Sequence, residues 1–366
     1  MILPLALTDR RPEQIYQDMH PMVESALRHS MTDALNLYHE INELVAIENL
    51  EMQLPEDMLT KEGKMHVKRN PEENHSRRFI QHIIAKKQRF DLLIKNLDYP
   101  ALIMAAYPQA KLLEKTKFWD DLEENLANPV LLRGISSGKI AHVVRENQQD
   151  YYFIETGYLG NYRSQNNPTG RKVYHRIVRN EMQHTKIMDV SDDRWRSLVR
   201  FDPKLKYHGW RRGGSKILLV LPSQKPFQFF GEERESWIKT VMRTLKKHTD
   251  REIVVRHKER RGDRTESNTI YDAMDDDIYA LVTYNSIAAV EAVAHGIPAF
   301  ALAPTAAAPV CSNDLTQIES PVRPHPDIIY KWLCSIAYGQ FTLDEMLTGQ
   351  AWQMVLENNE RPTFSY

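Results

Sequence analysis

Residues 277–304, DIYALVTYNSIAAVEAVAHGIPAFALAP, constrain the fold more tightly than any other stretch of the chain. Ile278 to Thr283 is a short continuous apolar run, the pattern of a strand covered on both faces of a parallel sheet. Tyr284, Asn285 and Ser286 make a polar turn. Ile287 to His295 reads as a helix, with Asn285 or Ser286 as its cap and Gly296 suited to the left-handed position that ends it. Ile297 to Leu302 then reads as a second strand. Upstream, Lys216 to Ser223 and Glu252 to Lys258 supply two more apolar strands, and the helical run Glu233 to Lys247 lies between them. Strands alternating with helices predict a doubly wound sheet, in which ligands bind beyond the C-terminal ends of the strands. Those ends carry Ser223, Arg256, His257, Lys258, Asn285 and Ser286.

The predicted helix is made of small apolar residues apart from one charge, Glu291. A carboxylate flanked by Val290, Ala292, Val293 and Ala294 is costly to bury without a partner, so a polar ligand or neighbour is expected there. The Ser286 turn adds unpaired N–H groups and the positive end of the helix dipole, which suit a phosphate. Arg256 and Lys258, with His257 between them, suit the same diphosphate.

The run YNSIAAVEAVAHGIPAFAL, residues 284–302, resembles the donor-binding segment of nucleotide-sugar glycosyltransferases of the GT-B fold. It is most similar to the capsule-polysaccharide type, where a Thr/Asn-Ser turn leads into a helix bearing Glu, followed by Gly-x-Pro and a strand. The resemblance implies that Glu291 holds ribose or sugar hydroxyls and that the turn holds phosphate. A second segment, Glu155 to Asn161, resembles the capsule-type motif of an acidic residue at a strand end before Gly, an aromatic and a short Gly-containing loop. Two departures stand out: Thr156 replaces a second acidic residue, and the Arg that follows the Leu in that family is absent. The resemblance implies that Glu155 is the general base. The fold it implies is α/β, a GT-B-like pair of Rossmann-type domains with an N-terminal helical segment.

The rest of the chain fits a division into a helical segment at 1–97, an acceptor-side α/β domain at 98–212 and a Rossmann-like donor domain at 213–366. Val23, Leu27, Met31, Leu35, Tyr38, Ile41, Leu44 and Val45 keep helical spacing, as do Phe79, Ile83, Phe90 and Leu93. These helices are expected to cover a sheet or to serve as an oligomerisation arm. In the second segment, Pro129 to Gly134 and Asp150 to Glu155 read as strands, and Ser137 to Arg145 as either helix or strand. Two closing helices are predicted at 327–338 and 343–357, and Trp352 and Leu356 are suited to crossing back onto the first domain.

Residues 163–216 hold fourteen Lys or Arg against five Asp or Glu, a local excess of nine positive charges, with aromatics between them. Arg163, Arg171, Lys172, Trp195, Arg196, Trp210, Arg211 and Arg212 therefore read as an acceptor surface for a polyanion, with the tryptophans placed to stack on bases. A hydroxymethylated pyrimidine in bacteriophage DNA, flipped out of its duplex, is one acceptor of this kind. Two other readings stay open: a capsule or polysaccharide acceptor, and a non-catalytic nucleic-acid-binding protein. Over the whole chain of 366 residues the net charge is only −1, so any polyanion binding must be local.

Several classes are excluded by what the sequence lacks. It has no Walker P-loop and no Gly-x-Gly-x-x-Gly run. The two cysteines, Cys311 and Cys334, make no disulfide framework and have no zinc spacing. The start of the chain lacks the basic region of a signal peptide, and no window reaches the ~18 apolar residues of a membrane span. A soluble cytoplasmic protein is expected. Its partner would be a nucleotide sugar, a UDP-sugar above others, with no permanent cofactor, no metal and no membrane. The acidic run Asp275-Asp276-Asp277 is read as a turn at the N-terminal end of a strand, away from the site.

Overall fold

The computed structural model describes residues 3–15, 98–107, 109–134, 138–161, 174–257 and 270–364. The chain divides into two compact units. One comprises Met1–Asp9, Tyr99–Tyr162 and Lys172–Tyr366 and contains both main sheets. The other comprises Arg10–Asp98 and Arg163–Arg171, and the expected N-terminal helices fall outside its described residues.

The first sheet has six strands: β1 (Leu5–Thr8), β2 (Leu112–Glu114), β3 (Val130–Arg133), β4 (Tyr151–Thr156), β5 (Tyr174–Arg179) and, from the end of the chain, β11 (Gln340–Thr342). Their order is β11-β5-β4-β3-β1-β2, and β2, β1, β3 and β4 run parallel. A short antiparallel ribbon joins β6 (Ile187–Met188) to β12 (Thr363–Phe364). The second sheet consists of β7 (Lys216–Leu221), β8 (Glu252–His257), β9 (Ile278–Thr283) and β10 (Ala299–Ala301), ordered β10-β9-β7-β8 and parallel throughout.

Both parallel sets are wound alike. In each, the first strand is central, the second lies to one side, and the third and fourth extend the other side. The winding reverses between β1 and β3 in the first sheet and between β7 and β9 in the second. Such reversals open a crevice at the strands' C-terminal ends. The helix Gln224–Phe230, which follows β7, leans toward the first sheet: Phe229 and Phe230 pack against its core of Leu132, Ile140, Val144 and Phe153. That helix therefore bridges the second sheet to the core of the first.

Alternation along β7 explains why that strand reads as unbroken apolar sequence. Ile217, Leu219 and Leu221 pack with Val241, Leu245 and Phe300 on one face. Leu218 and Val220 pack on the other, with the helix Ala288–Ala294. The second core is shared by both halves, since Tyr158, Leu159, Trp195 and Leu198 join Val290, Ile329 and Trp332 in it. Gly296 ends the Ala-rich helix at φ +79, and a Cβ there would lie 2.3 Å from the Gly209 carbonyl oxygen. Any other residue would be strained in its backbone and would collide with the linker, residues 206–215, that precedes β7.

Three sequence expectations change. Leu5–Thr8 is a buried strand, not part of a helical segment; four residues are too few for periodicity to separate the two. Residues 340–360 return to the first sheet and do not stay with the second. β11 pairs with β5, and Trp352 meets Tyr152 edge-on at 4.6 Å between ring centroids. The crossing expected of Trp352 is thus present. The helix expected at 343–357 is split by Gly349 into Leu343–Leu347 and Gln350–Glu360. Ser137 to Arg145 resolves as helix, Gly138–Glu146. Among the described residues no helix is long and apolar enough to cross a membrane.

Candidate active site

The crevice of the second sheet lies between the ends of β7 and β9. On the β7 side, Ser223 is exposed at the start of the Gln224–Phe230 helix, and its side chain makes no capping bond. On the β9 side, Tyr284 is buried and stacks on Phe227 with ring centroids 4.1 Å apart, fixing the turn that follows. Asn285 is buried, and its carbonyl accepts from Gln183 Nε2 at 2.7 Å. Of the two cap residues proposed from sequence, Ser286 is the one in use: its Oγ accepts from the Ala288 N–H at 3.2 Å.

Register decides which strand-end groups converge. Val220 is in register with both Arg256 and Thr283, so these three share one face, the face carrying the Ala288–Ala294 helix. His257 is in register with Leu221 and is exposed on the opposite face. The sheet therefore separates His257 from Arg256, which corrects the expectation that the two act together. A period of two cannot put consecutive residues on one face. Lys258 lies outside the described residues.

Glu291 sits on the converging face. Burial pushes its carboxyl up to about 8, against the opposing pull of a hydrogen bond from Tyr271 and the charge of Arg256. Near neutral pH the side chain is therefore mostly the neutral acid, able to donate one hydrogen bond and accept others. Tyr271 stands edge-on to His295 at 5.7 Å, and His295 Nε2 lies 3.4 Å from Asp275. Asp275 also receives Arg211 at 2.9 Å, which ties the C-terminal end of the Glu291 helix to the segment before β7.

The raised carboxyl has a measurable consequence. Its folded value lies above the ordinary 4.5, so the stability from the protonated form is fully present below pH 4.5 and is lost as pH rises through about 8. Glu291→Gln cannot ionise. Its melting temperature is expected to fall less than that of the wild type between pH 5 and pH 9, as read by calorimetry. Parallel curves would show that Glu291 is not enclosed as described.

On the first sheet, Glu155 occupies the C-terminal end of β4, half-buried, and its Oε1 accepts from the Thr156 N–H at 3.0 Å. The loop after it is braced from the far end of the chain. Gln340 Oε1 accepts from the N–H groups of Tyr158 and Leu159 at 2.7 and 3.0 Å, and its Nε2 donates to the Leu159 carbonyl at 3.1 Å. Arg176 donates to the Thr156 carbonyl. Tyr158 Oη meets His184 Nδ1 at 2.9 Å, and burial pushes that imidazole down to about 4, keeping it neutral.

Much of the basic segment is engaged within the protein. Trp195, expected to stack on bases, is 4% exposed and belongs to the shared core. Trp210 is half-buried and donates through Nε1 to the Pro324 carbonyl at 2.9 Å. Arg196 pairs with Asp192 at 3.0 Å, Arg211 with Asp275, Lys216 with Asp276 at 2.9 Å, and Arg194 with Glu345. Arg212 is exposed. Arg163, Arg171 and Lys172 lie outside the described residues. Asp275, Asp276 and Asp277 fasten the linker through Arg211, Lys216 and Ser215. Trp195→Ala is expected to cost about 3–5 kcal/mol of stability, the usual cost of emptying an aromatic site in a core. Urea unfolding measures this; a loss below about 1 kcal/mol would mean that the ring is not core.

Sequence reasoning missed Gln183, Gln340 and Tyr271. Gln183 reaches Asn285 across 102 positions and Gln340 reaches Tyr158 across 182, and no local pattern signals such contacts. No protein-family model matches the chain, and no curated protein does. Among solved structures, one similar chain is the beta Kdo 2,7 transferase of KpsC from Thermosulfurimonas dismutans, at 12% identity and a TM-score of 0.40, covering 70% of this chain and 95% of that one. Another is the beta Kdo 2,4 transferase of the same KpsC, at 12% identity and a TM-score of 0.36, covering 64% and 85%. A likeness this loose carries no weight for the chemistry, which rests on the geometry above.

Proposed function

We propose that the protein transfers a sugar from a nucleotide-sugar donor to an acceptor hydroxyl. What supports this reading is the all-parallel second sheet, where Arg256 at the end of β8 shares the face that carries the Glu291 helix and its charge acts on that carboxyl. Charge builds on the departing phosphate as the glycosidic bond to the leaving group breaks, and a fixed guanidinium opposes it. Glu291, largely neutral through burial, suits sugar or ribose hydroxyls, which both give and take hydrogen bonds. Ser286 and Ser223 flank the crevice as polar contacts for the phosphates. Glu155, at a strand end of the other sheet, takes the proton from the attacking hydroxyl.

The acceptor favoured here is a saccharide hydroxyl. A DNA acceptor needs a track of available cations and exposed rings. In the described part of the basic segment Lys186, Arg200, Lys204, Lys206 and Arg212 are exposed, but Trp195 is core and Trp210 is half-buried against the Pro324 carbonyl, so the rings are lacking. The test is a panel of uridine, cytidine, guanosine and adenosine sugar nucleotides, read by thermal stabilisation and by release of free nucleotide. At least one donor is expected to raise the melting temperature and to be turned over when saccharide acceptors are added. No shift with any donor would favour a non-catalytic binding protein. A steep, salt-sensitive affinity for duplex DNA would restore the DNA acceptor.

A further inference from the structure

We propose that Gln183 is the positioning residue of the nucleotide seat: a single carboxamide from the first half of the chain that sets the spacing and orientation of the loops after β9 and β10. The inference rests on the donor site proposed above.

Gln183 lies between β5 and β6 and is 3% exposed. Its Nε2 donates to the Asn285 carbonyl at 2.7 Å, and its Oε1 accepts from Thr305 Oγ1 and from the Ala306 N–H, both at 3.2 Å. The Ala306 N–H fixes the orientation of the amide, because only the oxygen end can accept it. Both ends of one side chain are thus spent on two different rim loops. The next peptide is held as well, since Trp332 Nε1 donates to the Ala306 carbonyl at 2.7 Å.

The effect on the seat follows from peptide geometry. In a trans peptide the C=O and the next N–H point in opposite directions. With the Asn285 carbonyl turned toward Gln183, the Ser286 N–H faces away from it, and Ser286 Oγ is held in turn by the Ala288 N–H. The donors of the phosphate turn are therefore aimed by a residue that need not touch the ligand. A seat ordered beforehand spares the ligand the cost of ordering it. Removing the amide leaves a buried carbonyl and a buried N–H unmet, and the turn is free to rotate its peptide to satisfy them.

Gln183→Met keeps the length of the side chain and removes its hydrogen bonds. Affinity for nucleoside mono- and diphosphates is measured by calorimetric titration on wild type, Gln183→Met and Gln340→Met. The last removes a comparably buried amide that braces the Tyr158–Leu159 loop, and so controls for lost stability. Gln183→Met is expected to weaken nucleotide binding by at least about tenfold. Its Ala306 amide should also exchange hydrogen faster, whereas Gln340→Met lowers the melting temperature without changing nucleotide affinity. If Gln183→Met does not fold, Thr305→Val removes one of the three bonds, and a several-fold weakening is expected. Unchanged affinity in a destabilised Gln183→Met or Thr305→Val would reduce Gln183 to a structural amide and overturn the proposal. A wild type that binds no nucleotide would instead sink the donor-site reading, and the positioning role with it.

Discussion

Glu155→Gln is expected to lower kcat by roughly 10²–10⁴-fold, the range of a lost general base, while leaving nucleotide affinity unchanged. The substitution keeps an oxygen able to accept from the Thr156 N–H, and so preserves the end of β4. The loop beyond it stays braced by Gln340 and Arg176. The damage should fall on the proton transfer alone. Glu155 and the crevice of the second sheet belong to different sheets, so donor binding has no reason to follow turnover. Equal losses in binding and in kcat would make Glu155 a structural acid, and the base would have to be sought elsewhere on the first sheet's rim.

The second large effect concerns Arg256. Arg256→Gln should lower kcat/KM by about 10²–10³-fold, the cost of removing one preorganised group from a developing negative charge. The same substitution predicts a change that needs no substrate. The charge of Arg256 holds the Glu291 carboxyl below where burial alone would put it. Without that charge, Glu291 should titrate at still higher pH, which NMR of a labelled glutamate can follow. A Glu291 titration indifferent to Arg256, together with intact turnover, would separate the two residues and remove the pair on which the site is built.

The second sheet was legible in the sequence because strands covered on both faces carry apolar residues without interruption, as ILLVL at 217–221 and IYALV at 278–282 do. The first strand was not legible: four residues, LALT, show no period long enough to separate strand from helix. Trp195 was misread by composition, since it stands among cations. Its spacing from Leu198 on the Asp193–Phe201 helix marks a buried face, and that pattern outranks the charge of the neighbours. His257 was misread for a related reason, because strand alternation already assigned it and Arg256 to opposite faces. Glu291 was legible as an acid out of place among small apolar residues. The groups that act on it, Tyr271 and Arg256, come from segments that only the fold brings near.

A structure determined with a nucleoside diphosphate bound decides whether the crevice between β7 and β9 is a nucleotide seat. Phosphates are expected between Ser223 and the Asn285–Ser286 turn within reach of Arg256, with a ribose or sugar hydroxyl on Glu291. A nucleotide bound on the His257 face of the sheet, or anywhere away from that crevice, would contradict that placement.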